Sequence, residues 1–194
     1  MTRLASRGFA LAFAFAALAQ QPGDDVYPAD IRPPAGTQYP CALVALPQGL
    51  PGIPEADRAY INRSYARILR ATQAKLVVLR ALDEGSQMAA ATARYDERTA
   101  TLVAGLRADA PPPGLQSFLD DVVAAIELQR RFFAQALALR EKGLEMRAVY
   151  AVPEGRQASA LLFAGFAKMQ ARYPQWSAAT RDSIFHHVCA LDLF

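Results

Sequence analysis

"PEADRAYINRSYARILRATQAKLVVLRALDEG", residues 54–85, decides the fold. Within it Ile61, Tyr65, Ile68, Thr72, Leu76 and Leu79 recur at three- and four-residue steps, the period of one face of an α-helix. Pro54 and Glu55 suit a first turn, where a missing N–H costs nothing and a carboxylate meets the positive end of the helix dipole. Gly85 suits the stop, because glycine enters the left-handed conformation that ends helices. A strand would alternate at period two and rarely exceeds about ten residues. The stretch predicts one long amphipathic helix whose apolar stripe needs partners.

Partners of the same kind follow. Ser86 can cap a helix over "SQMAAATARYDERTATLVAGLRADA", with Met88, Ala91, Tyr95, Leu102 and Leu106 inward, and "PPPG" at 111–114 breaks it. A third segment runs over 115–152. Leu119, Val122, Ile126, Phe133 and Ala136 form one stripe, widened by Phe118, Ala125, Phe132 and Leu139, which means burial against more than one neighbour. Gly143 is a point where it loosens or ends, and Pro153 is its limit. A fourth helix over 153–173 turns Leu162, Gly165, Phe166, Met169 and Tyr173 inward before Pro174. A fifth, from the cap Ser177 to 193, has Ile184, Val188 and Leu191 as its core face. The expected fold is all-α: an antiparallel bundle of four to five helices over 55–194, carrying an extended proline-rich N-terminal arm over 20–54.

Residues 1–19 have a different purpose. Arg3 and Arg7 precede a short apolar run, Phe9 to Ala16, and Ala17-Leu18-Ala19 offers a small-x-small cleavage site. This is the layout of a secretory signal peptide, and its apolar run is shorter than the roughly 20 residues that span a bilayer. The expected destination is the periplasm or the exterior, with no transmembrane segment in the mature chain. Removing the two arginines lowers the formal charge of +3, so the basic balance gives no warrant for nucleic acid. An exported chain with two cysteines, Cys41 and Cys189, is most simply read as carrying one disulfide between them.

Little in the sequence carries catalysis. There is no G-x-S-x-G, no phosphate loop, no C-x-x-C-H for haem and no E-x-x-H pair for a di-metal centre. Ser159 has no visible base beside it. No catalytic residue and no cofactor are assigned. "FHHVC", residues 185–189, places His186 and His187 next to each other, and neighbours on one helix point in different directions. Arg63, Arg67 and Arg70 make a basic stripe on the first helix, able to hold an anionic ligand or an acidic partner, with Tyr65 and Tyr95 as hydroxyls near a pocket between helices. The expected function is a non-catalytic exported bundle that binds an envelope protein or a small ligand. The alternative is a metal- or cofactor-binding protein using His186 and His187, with a reduced Cys189.

Overall fold

The computed structural model describes residues 46 and 48–193, apart from the side chains at 179, 183 and 187. The segment expected to be a signal peptide, most of the arm and Cys41 lie outside the described residues. Six helices make up the described chain: α1 (Glu55–Glu84), α2 (Met88–Ala108), α3 (Gln116–Glu141), α4 (Met146–Tyr150), α5 (Pro153–Arg172) and α6 (Ala178–Leu191), with no strand among the described residues. The expected third helix is two elements. Gly143, at φ 78°, ends α3, and Leu144 N–H donates to Leu139 O (3.1 Å), leaving α4 as a single short turn before Pro153.

Each break has a local cause. Gly85 takes φ 66°, and the N–H groups of Gly85 and Ser86 both reach Ala81 O, closing α1 in the left-handed manner that glycine allows. Pro153 opens α5 at its first helical position. Ser177 Oγ accepts from Thr180 N–H (3.1 Å), capping α6 as expected. Ser86 does not cap α2; Gln87, at φ 51°, stands in front of that helix instead.

Five of the helices form a ring in the order α1, α2, α3, α5, α6 and back to α1, and the most extensive contact is α3 with α5. Gly165 explains that contact: a Cβ there would lie 3.4 Å from both Phe118 Cδ2 and Asp121 Cβ, so the absence of a side chain lets α5 settle on α3. Successive neighbours run antiparallel, but α6 does not oppose α1. Gln175 bonds Gly52 O (3.2 Å) just ahead of α1, whereas Ala190 O meets Lys75, two-thirds of the way along α1. The two helices run the same way, since an odd ring cannot alternate throughout.

The core has two parts along the roughly 45 Å that a 30-residue α1 spans. One gathers Tyr65, Ile68, Leu106, Phe118, Ile126, Leu162, Met169, Ile184 and Val188. The other gathers Val78, Leu82, Tyr95, Phe132, Phe133 and Val149. α6 lies over the first part only. Leu76, expected inward, is 44% exposed and Val77 is 53% exposed, because the buried face of α1 passes through Ala74, Lys75 and Val78 instead.

Leu46, at the end of the arm, is held to α1. Its N–H donates to Asn62 Oδ1 (2.9 Å), and its carbonyl accepts from Asn62 Nδ2 (3.0 Å) and Arg58 Nη1 (2.9 Å). Its side chain is buried in the first part of the core.

Candidate functional site

The basic stripe faces the last turns of α2. Asp109, which follows α2 directly, accepts from Arg63 (Nε 3.2 Å, Nη2 3.3 Å) and from Arg67 Nη1 (2.6 Å). Gly105 lies one turn earlier on α2, and a Cβ there would stand 3.7 Å from Arg67 Nε, so the Arg67 side chain packs against the glycine. Partial burial pushes the Asp109 carboxyl up, but the hydrogen bonds and charges of Arg63 and Arg67 outweigh it and hold the group below its ordinary value. Arg63 also lies 5.9 Å over the Tyr60 ring. Two of the three stripe arginines are thus engaged in holding α1 to α2.

Arg70 is placed differently. With Gln73 it forms one wall of a groove of about 670 Å³, and Glu97, Arg98, Thr101 and Leu102 of α2 form the other. Among the described residues neither Arg70 nor Arg98 is paired with a carboxylate. Arg94 precedes Arg98 by one turn and prolongs the cationic line along α2. A second groove, of about 480 Å³ between α2 and α3, is balanced instead: Arg107 and Arg131 face Asp120 and Glu127.

The two tyrosines expected near the pocket are core residues. Tyr65 is wholly buried, edge-on to Phe118 with ring centroids 6.3 Å apart. Tyr95 is buried against Phe133 at 4.6 Å, and its hydroxyl donates to Gln129 Oε1 (3.1 Å). Burial raises both phenols well above their usual range, so neither offers a charge or an accessible hydroxyl to a ligand. Their three- and four-residue registers marked them as inward; the fault lay in reading inward as pocket-lining.

Cys189 is a free, half-buried thiol on α6, so the expected Cys41–Cys189 disulfide is not formed in this structure, with Cys41 itself outside the described residues. His186 is half-buried beside Phe185, ring centroids 6.0 Å apart, with Nδ1 buried and unpartnered. The side chain of His187 is outside the described residues. Among those described, no three His, Cys, Asp or Glu side chains come together in a way that could hold a metal. Ser159 hydrogen-bonds the carboxylate of Asp192, and among the described residues no imidazole bonds it, which is not the arrangement that activates a nucleophile.

Sequence reasoning missed a buried polar cluster at the end of α6. Lys75 Nζ donates to Ala190 O (2.8 Å) and to Asp192 O, and Gln129 Nε2 donates to Leu191 O (2.6 Å). Both donors are buried. A signal was present. Lys75 follows Thr72 by three and Gln129 follows Ile126 by three, so each is a polar residue standing on an apolar stripe.

Comparison with known proteins adds no kinship: no family model matches the chain, and no characterised protein and no solved structure is significantly similar to it.

Proposed function

We propose that this chain is an exported, non-catalytic helical-bundle protein that binds an acidic segment of an envelope protein, or a small anionic ligand, along the face made by α1 and α2. The observation that carries the reading is the groove where Arg70 and Arg98 stand without carboxylate partners beside Gln73 and Thr101. Guanidinium groups recognise carboxylates through paired N–H donors, and Leu102 supplies apolar surface between them. Arg63 and Arg67, spent on Asp109, fix the two helices and so fix the spacing of the groove walls. Export is supported by the charged, apolar and small-residue succession of residues 1–19.

Two experiments test this. Expressed in a bacterium with its own N-terminus, the chain is expected in the periplasmic fraction with Gln20 first; recovery in the cytoplasm with Met1 or Thr2 first would contradict export. Binding of a fluorescent hexaglutamate peptide to the purified chain is expected to saturate, to weaken with salt as exposed charge pairs do, and to fall about tenfold or more in Arg70→Gln/Arg98→Gln. Equal binding by the variant would remove the groove from the account.

A further inference from the structure

We infer that α6 is a latch, opening and closing as a unit apart from α1, α2, α3 and α5, with its closed position set by Lys75 and Gln129. The observations are independent of the groove between α1 and α2. Among its described side chains, α6 contributes only Ile184, Val188, Leu191 and Thr180 to the interior, and it spans only part of the bundle. Its polar attachment is concentrated at one end. The carbonyls of Ala190, Leu191 and Asp192 are taken by Lys75 of α1 and Gln129 of α3, and the Asp192 carboxylate is bonded by Ser159 of α5. Tyr95 of α2 steadies Gln129 from behind (3.1 Å). Three helices therefore converge on the end of α6, and α2 braces one of them through Gln129.

This arrangement has two positions and no gradual path between them. Lys75 is 5% exposed and Gln129 wholly buried, so sliding α6 partway would break bonds from a buried ammonium and a buried amide to the α6 carbonyls before water could replace them. Full release lets water reach both. A released segment of 14 residues is too short to hold itself helical in water, so opening is also unfolding of α6. The connection before it is held in place, with the Tyr173 hydroxyl bonded to Asp57, Trp176 stacked on Tyr173 at 5.2 Å and Gln175 bonded to Gly52 O, so opening would hinge at Ser177, where α6 begins. Opening uncovers the seam between α1 and α5, including the half-buried Phe166 ring that meets Phe185 at 5.3 Å.

Hydrogen exchange by mass spectrometry on the full chain is the test. Peptides from residues 178–191 are expected to exchange about tenfold or more faster than those from 116–141 under native conditions. Lys75→Met is expected to accelerate 178–191 about tenfold further while leaving 116–141 unchanged. Ser159→Ala, which removes the bond to the Asp192 carboxylate and a 3.3 Å bond to Gly155 O within α5 but keeps the buried donors, is expected to do the same by a smaller factor and serves if the lysine variant fails to fold. Equal protection of the two helices in the unaltered chain, or equal acceleration of both in the variants, would overturn the inference.

Discussion

At the scale of single residues, the chain is held by polar side chains that each satisfy a specific backbone or side-chain group inside the bundle. Tyr95, Gln129 and the carbonyl of Leu191 form one such line. Tyr95→Phe would leave Gln129 Oε1 buried without its donor, and the expected loss is about 1–3 kcal/mol in urea unfolding. A change too small to resolve would mean that the hydroxyl is not a structural donor. Asp109 makes a pH-dependent contribution. Its folded pKa lies below the unfolded one, so its stabilisation is fully present above the unfolded value, about 3.9, and is lost as pH falls through the folded value. Because Asp109 and its arginines are partly exposed, Asp109→Asn is expected to cost only about 1 kcal/mol at pH 7. The gap to the unaltered chain should close in acid, and a gap that persists at pH 2 would contradict the pairing with Arg63 and Arg67.

At the scale of elements, helix boundaries follow from glycine and proline placed where the chain must turn. Gly85→Ala tests this at one position. A Cβ there would meet nothing nearer than Arg140 Nη2 at 3.7 Å, so space is not the obstacle; the left-handed φ of 66° is. The expected cost is about 1 kcal/mol, read from the shift in the urea midpoint at unchanged slope. Five helix positions were legible because proline and glycine punctuate long apolar periods. The split of α3 from α4 was only half legible. Gly143 marked the break, but the return of the chain through Leu144 to Leu139 depends on a backbone bond that no residue type announces. The stripe on α1 was read too far. Leu76 fits the period yet faces outward, because the buried face of α1 runs through Ala74, Lys75 and Val78, with Lys75 taking the place on it that an apolar residue was expected to hold.

For the whole molecule, the sequence shows what each helix buries but not which helices are neighbours. The α6–α1 contact, with both running the same way, arises from ring closure and from the buried donors of Lys75 and Gln129, which lie more than 50 residues apart in the chain. The candidate site was legible in part for the same reason. Arg70 could be named from its stripe. Arg98 belongs to a different helix, and only the packing of α2 on α1 puts it across the groove. Arg63 and Arg67 could be named but not told apart from Arg70 in role, because Asp109 comes from a turn whose path the sequence does not reveal.

The central claim is that the α1–α2 face binds acidic groups, and titration of a hexaglutamate peptide into the purified full chain tests it most directly, alongside Arg70→Gln/Arg98→Gln and a control, Arg80→Gln, on the same helix but outside the groove. Saturable binding to the unaltered chain and the control, weakened about tenfold or more in the double variant and by added salt, is the predicted result. Absence of binding at low salt, or equal binding by all three proteins, would contradict it.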